Sequence, residues 1–390
     1  MLKPLEGVKV VELTLAGAGP AAGGTLSVFG ADSIWVEPLE GNSTRTINEL
    51  HFYCQGKRSI TLNLKSPEGL DVMYRMIKES DVFLTNYRQR SVDKLGLGYE
   101  KLREMNPRLI YASLTGWGLE GPIADAPGFD TVCFWARGGM LRDFAEMGTL
   151  VVPPVAVGDA GVGQAVAGGI CAALYRRSIS GEGCWVDSSI LAQAVYLNHD
   201  ALIELQHGEK YPKSRKSPRR ALLNTYKCKD DKWIVISSTY FDRHFSKLME
   251  ILGRKDLVGD PRWNCIEDTM FENAPPVVEI LDEGFAKLTQ NEAVEALNAI
   301  DMAVERVASS EDVLTDPQIL ANNYVIPWTK PADGKKYTMP AYPVHFNGKD
   351  VDPIKPAPGL GEHSVSILQS LGYSEAEIKN MLDKKVTSKS

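Results

Sequence analysis

The sequence predicts an α/β fold: a Rossmann-like large domain with a mainly parallel sheet, plus a smaller α+β domain. Three observations predict it. Short β-branched runs alternate with helical stretches over the first 115 residues, the pattern of βαβ units in a parallel sheet. The chain has 390 residues, enough for about two or three domains. Past a basic stretch near residue 210, the alternation gives way to a hairpin pattern followed by helices.

The elements follow in order. Val8–Leu13 reads as a buried strand, Ala16–Gly24 as a Gly/Ala-rich turn leading into a helix that ends near Phe29. Ala31–Val36 and Ser59–Leu64 read as the next strands. Ser66 is an N-cap, and Pro67 sits where a first helical turn tolerates proline. Helix Glu68–Glu79 then precedes strand Val82–Thr85, and Leu109–Leu114 is a further strand. A long helix is expected from Ala160 to Ile179, stopped by Gly181 and Gly183, and another over Ser188–Leu205. Tyr226–Ser238 resembles a hairpin turning at Asp230–Asp231. Helices are expected over Phe241–Leu252, Pro276–Lys287 and Asn291–Ile300, a strand over Ala303–Val307, and a closing helix over Ser374–Leu382 after Pro-rich loops. The domains implied are 1–200 (large), 201–225 (a linker), 226–325 (small α+β) and 326–390, a C-terminal segment returning to the large domain.

Composition narrows the function. Forty-three basic against fifty acidic residues give a net charge of −7, which argues against a nucleic-acid binder. Six cysteines lie scattered without CxxC spacing; they read as reduced thiols, with no zinc or redox motif. No histidine has metal spacing, so no metal is expected. The N-terminus lacks the apolar run of a signal peptide, and the most apolar stretch, Leu150–Leu174, is broken by Pro153, Pro154 and Asp159. A cytoplasmic protein that does not enter a membrane is expected.

The segment Val155–Ile170, VAVGDAGVGQAVAGGI, carries the most chemical information. Asp159 falls at or near the start of a helix, at the end of the sheet where open α/β folds bind ligands. There the helix dipole and free N–H groups favour an ionised carboxylate. Spacing alone leaves two readings, a plain capping aspartate, which is the commoner role, and a carboxylate nucleophile. Lys57, Arg58 and Lys65 in GKRSITLNLKSPEG form a cation cluster that is either solvated or phosphate-binding. AGAGPAAGG at Ala16–Gly24 lacks GxGxxG spacing and reads as a tight strand–helix connection. In PGFDTVCFWARGG, Asp130 is either a site group or a buried turn residue. The absence of GxSxG disfavours a serine hydrolase.

In these motifs the chain resembles the class III CoA-transferases, the formyl-CoA:oxalate and carnitine CoA-transferase family. The likeness runs through LEGVKVVEL, AGP at Ala18–Pro20, GAD and VEP between Gly30 and Pro38, GKRSITLNLKSPEG and DVFLTNY. It continues through the run ending at Gly118, GDAGVG at Gly158–Gly163, and PGLGEHS at Pro358–Ser364. PGFDTVCFWARGG is most similar to the branch acting on 2-hydroxy acids, the cinnamoyl-CoA:phenyllactate and 2-hydroxyisocaproate CoA-transferases of amino-acid fermentation.

The resemblance implies that Asp159 is the nucleophile, that acyl-CoA and a small carboxylic acid are the substrates, and that coenzyme A is a co-substrate, with no tightly bound cofactor. It implies CoA contacts at Ala18, at Leu62 through Lys65, at Asn86 and Tyr87 on the adenine and ribose side, and at Lys94, which stands where the family often has an arginine. Arg58, Arg88 and Arg90 rank lower. It places Gly17, Phe129, Asp130 and Tyr240 near the substrate, and implies an interlocked homodimer. A carboxylate of ordinary pKa would be ionised at pH 7 and need no base, and N–H groups of the glycine-rich turn would hold the oxyanion. Three departures stand against the oxalate branch. Gly17 replaces a glutamine, Pro38 replaces a basic residue, and the glycine loop has no counterpart near Ser237–Phe245. The alternative sharing the fold, an α-methylacyl-CoA racemase, would need a second proton-moving group where Phe129 stands.

Overall fold

The computed structural model describes residues 2–146, 148–348 and 353–389. The chain forms two compact units. The first comprises 1–140, 152–200 and 317–390, and the second 141–151 and 201–316, as far as these residues are described.

Six parallel strands form the sheet of the first unit: β1 (Lys9–Leu13), β2 (Asp32–Glu37), β3 (Arg58–Thr61), β4 (Val82–Thr85), β5 (Ile110–Thr115) and β6 (Cys184–Ser189). Their order is β3-β2-β1-β4-β5-β6. Strand order reverses between β1 and β4, so a crevice opens at their C-terminal ends, where such sheets bind ligands. Both faces are covered. On one, helices Ala18–Val28 and Val157–Ser180 pack Leu26, Val162, Val166 and Ile170 on Val10, Leu84 and Ala112. On the other, helix Pro67–Lys78 places Val72, Met73, Met76 and Ile77 on Val11, Phe83 and Tyr111, and the closing helices add Ile367, Leu368, Ile378 and Met381. The chain's end therefore completes the core that its beginning starts.

Local signals hold where they are chemical. Ser66 accepts the Gly69 N–H at 3.1 Å and Pro67 opens its helix. Ser374 and Glu377 form a capping box. The Ala16–Gly24 run is a close-packed connection: a Cβ on Gly23 would lie 2.0 Å from Glu12 Oε2, whose carboxylate is buried beneath this helix against the Lys57 ammonium at 2.7 Å. Lys57, read from sequence as a phosphate candidate, is thus consumed inside the core.

The long apolar helix Val157–Ser180 has the length and composition of a membrane span. In this fold its inner face, Val162, Gly163, Val166, Ala167 and Ile170, is buried.

The structure corrects several expectations. Residues expected as one helix from Ser188 are the end of β6, then helices Ile190–Leu197 and His199–Gln206. Ser189 leaves the strand and caps the first of these through Ala192 N–H at 3.0 Å. A hairpin of β10 (Val325–Thr329) and β11 (Lys336–Pro340) stands where loops were expected.

The second unit is built on β7 (Leu223–Lys227), β8 (Trp233–Ser237) and β9 (Ala303–Arg306), antiparallel in the order β7-β8-β9. Helices Phe241–Ile251, Ala274–Phe285 and Gln290–Asn298 cover it through Leu248, Leu281, Phe285 and Leu297. Segment 201–225, expected as a linker, belongs to this unit and contributes Ala221 and Leu222 to its core. Several of its cations are paired: Lys213 with Glu209 at 2.6 Å, Arg215 with both oxygens of Asp282, and Arg219 with Glu204. The unit ends at residue 316 rather than 325, and 317–325 join the first unit.

Candidate active site

A cleft of about 310 Å³ opens at the strand-order reversal. Its walls are the segments that leave the C-terminal ends of four strands: Leu15–Ala18 after β1, Asn86–Arg88 after β4, Thr115–Gly116 after β5 and Ile190 after β6. Segment Ala126–Phe129 closes one side and Asp159 stands inside.

Each wall has a local cause. The amide of Asn86 clasps the β1 loop, accepting Leu15 N–H at 2.9 Å and donating to the Leu15 carbonyl at 2.8 Å. Ala16 adopts φ 59°, a left-handed conformation that an alanine holds at a cost; the Thr44 hydroxyl donates to its carbonyl at 3.1 Å. Gly116 and Gly128 touch backbone to backbone, since a Cβ on Gly116 would lie 2.9 Å from the Gly128 Cα. That contact seats the PGFD segment against the β5 loop.

Asp159 is the third residue of the Val157–Ser180 helix, not its cap. Ala156 occupies the cap position and offers no side-chain acceptor. The acceptor is Asp130, 2% exposed, which takes the N–H of Ala156 at 2.9 Å and of Asp159 at 3.2 Å. The Asp159 carboxylate faces the Gly17 backbone; a Cβ there would lie 2.2 Å from its Oδ2. Any side chain at position 17 would require Asp159 to move. Burial first, and the neighbouring Asp130 charge second, raise the Asp159 pKa from 3.8 to about 7. This corrects the expectation of a fully ionised carboxylate at pH 7. The expected source of oxyanion donors changes too, because Asp130 occupies N–H groups of that turn.

A second cleft of about 340 Å³ is lined by Leu13, Glu37, Pro38, Leu62–Lys65, Tyr87 and Leu95. Tyr87 lines both clefts, so they adjoin. Lys65 is an exposed cation there with no ion pair among the described residues. Glu37 is neutralised by Arg45 at 2.5 Å.

The predicted site residues therefore divide. Gly17, Ala18, Asn86, Tyr87, Phe129 and Asp159 meet in the first cleft, Leu62, Lys65 and Tyr87 in the second. Asn86 lies beside Asp159 rather than on the Lys65 side, and its amide is spent on Leu15. Asp130 is behind the wall. Arg58 is at the N-terminal start of β3, the end of the strand away from the clefts, bound to Asp32 at 2.5 Å, and lines neither cleft. Lys94 is exposed at the end of helix Gln89–Lys94 and lines neither cleft. Tyr240 is 65% exposed in the second unit and lines neither. Arg88, Ser91, Thr115, Gly116 and Ile190 also line the first cleft; of these only Arg88 was among the residues the sequence singled out. Position at the C-terminal end of a parallel strand is the signal that finds Thr115 and Gly116.

Residues 5–364 match the model of CoA-transferase family III. The chain belongs to CoA-transferase family III.

Among its relatives are the (R)-2-hydroxy-4-methylpentanoate CoA-transferase of Clostridioides difficile and the cinnamoyl-CoA:phenyllactate CoA-transferase of Clostridium sporogenes. Both are 34% identical. The first alignment covers 98% of this chain and 99% of the relative, the second 96% and 95%. A CAIB/BAIF family protein from Brucella suis superposes with a TM-score of 0.80 at 29% identity, over 95% of this chain and all of the other. Rv3272 from Mycobacterium tuberculosis gives 0.83 at 29%, over 94% and 99%. As a family III CoA-transferase the chain is an enzyme whose substrates are CoA thioesters and carboxylic acids. A partly desolvated carboxylate lining a cleft suits acyl transfer, because burial raises its basicity.

Proposed function

We propose that Asp159 carries CoA from an acyl-CoA donor to a 2-hydroxy acid bearing an apolar side chain. The observation that carries this reading is the Asp159 carboxylate, half-buried with no hydrogen bond to its oxygens among the described residues, at the floor of the cleft. Ionised Asp159 attacks the donor thioester carbonyl; the C–S bond breaks, leaving an aspartyl mixed anhydride and CoA thiolate. The thiolate attacks the aspartyl carbonyl of the anhydride, freeing the donor acid and leaving an aspartyl-CoA thioester. The acceptor carboxylate then attacks that thioester, giving a second anhydride and thiolate. Attack of the thiolate on the acceptor carbonyl yields the new acyl-CoA and restores the Asp159 carboxylate. No proton is gained or lost overall.

Each tetrahedral intermediate needs donors for its oxyanion. Ala18 and Gly19 open the 11-residue helix beside Asp159, and the first N–H groups of a helix lack partners within it. We assign the oxyanion to these. CoA would run from Asp159 past Tyr87 to Lys65, whose ammonium meets phosphate. Leu114, Ile190 and Phe129, 58% exposed, give the cleft an apolar wall suited to a branched or aromatic side chain, like those in the names of the two 34%-identical relatives.

The assembly proposed is an interlocked homodimer, in the cytoplasm, with no resident cofactor. Large apolar side chains on one helix pair, Tyr175, Ile179 and Tyr196, are each more than 70% exposed, as surfaces awaiting a partner are. Sedimentation at graded concentration reads the assembly directly. The function is tested by incubating the enzyme in D₂O with cinnamoyl-CoA or 4-methylpentanoyl-CoA and a panel of 2-hydroxy acids. A hydroxyacyl-CoA detected by mass spectrometry is the expected product. Deuterium at the α-carbon with no new thioester would establish proton transfer instead and overturn the reading.

A further inference from the structure

The Val157–Ser180 helix opens without a cap of its own. Ala156 holds the cap position at φ 71° and supplies no acceptor. Both oxygens of Asp130, 26 residues earlier in the chain than Ala156, fill that need: Oδ2 accepts from Ala156 and Oδ1 from Asp159. Gly158 between them is pressed so close that a Cβ would lie 2.4 Å from Oδ1. A carboxylate in a first turn ordinarily gains from the helix N-terminus. Asp159 stands in that turn and does not, because the gain goes to Asp130. On the reading of Asp159 as the nucleophile, we propose that Asp130 is a positioning residue. Its carboxylate occupies the open N–H groups of this helix, so that Asp159 faces the cleft as a carboxylate left unsatisfied and nucleophilic.

The groups facing Asp159 agree with this. Asp130 and Cys133 approach from the 130–136 turn and Tyr53 from helix Leu50–Tyr53. Arg88, after β4, opens on the same cleft. Burial is the larger influence on Asp130 and raises its pKa on balance, while the backbone N–H groups of Gly158, Asp159 and Ala156, and the Trp135 side chain, draw it part of the way back toward the charged state. Only burial and like charge act on Asp159, and both disfavour its charge. Of the two, Asp130 is the carboxylate that holds a negative charge first.

The test is a carboxyl-carbon NMR titration of the whole enzyme labelled with 13C-aspartate, with Asp159 and Asp130 assigned by signal loss in Asp159→Asn and Asp130→Asn. In the wild type Asp130 should ionise at lower pH than Asp159. Asp130→Asn keeps an acceptor oxygen but removes the charge, and should lower the Asp159 midpoint by about one pH unit or more. The acid limb of its pH–rate profile for cinnamoyl-CoA consumption should move by the same amount. Asp130→Glu, which keeps the charge, should hold the midpoint high. An unmoved midpoint in folded Asp130→Asn overturns the proposal, as does the reverse order of ionisation in the wild type, a measurement that needs no folded variant. Whether Asp159 takes the acyl group is read separately by covalent trapping, so failure of that reading is distinguishable.

Discussion

Asp159 occupies a position where folding and chemistry conflict. Its pKa near 7 lies above its unfolded value, so the native state binds the extra proton. Between about pH 4 and pH 7 stability therefore falls as pH rises, and above pH 7 the full cost of burying the charge is present. The gap between 3.8 and about 7 corresponds to about 4 kcal/mol as an upper figure. Asp159→Asn removes that cost. Chemical denaturation should find it more stable than wild type at pH 8, by up to about 4 kcal/mol, with the difference closing toward pH 4. It should also transfer no CoA. A destabilised catalytic group is the usual form of the trade between activity and stability. In the wild type, kcat/KM should lose about tenfold per pH unit below pH 7, since only the ionised carboxylate attacks. Motif and sheet position made Asp159 legible in the sequence. Asp130 was not legible, because its role depends on meeting a helix start 26 residues further along the chain.

At the scale of elements, the site depends on two helices approaching closely. Small residues permit it: a Cβ on Gly163 would lie 2.7 Å from the Ala21 Cβ and 3.0 Å from the Ala22 N. Neither obstacle is a flexible side-chain end. Gly163→Val should therefore cost about 1–3 kcal/mol, read as a lower melting temperature, and should reduce activity by displacing Asp159 one turn away. Gly168→Ala on the same helix meets nothing within 4 Å and should show neither loss. The glycine-rich runs around both helices were visible in the sequence, and their reading as tight packing holds for Ala16–Gly24. β6 was not visible, because CWVDSS ends in polar residues that resemble a helix start, and Ser189 does serve both elements. The β10–β11 hairpin was hidden by Pro327 and Pro340, which weaken a strand signal.

At the scale of the molecule, the alternation of strands and helices was enough to predict a parallel sheet, and the strand order supplies the rest. Reversal between β1 and β4 gathers four strand ends around one crevice, and residues from 15 to 190 meet there. The resemblance implied a CoA contact at Arg58, and the cation cluster left Lys57 as solvated or phosphate-binding; Arg58 lies at the N-terminal end of β3, away from both clefts, and Lys57 is paired inside the core. A one-dimensional motif does not say which end of a strand a residue occupies. The central claim is that CoA passes through a covalent bond to Asp159. Incubation with cinnamoyl-CoA alone, followed by hydroxylamine and peptide mass spectrometry, tests it most directly. A hydroxamate on the peptide carrying Asp159, absent in Asp159→Asn, is the expected result. Full CoA transfer with that peptide unmodified, or with the label on another residue, would contradict it.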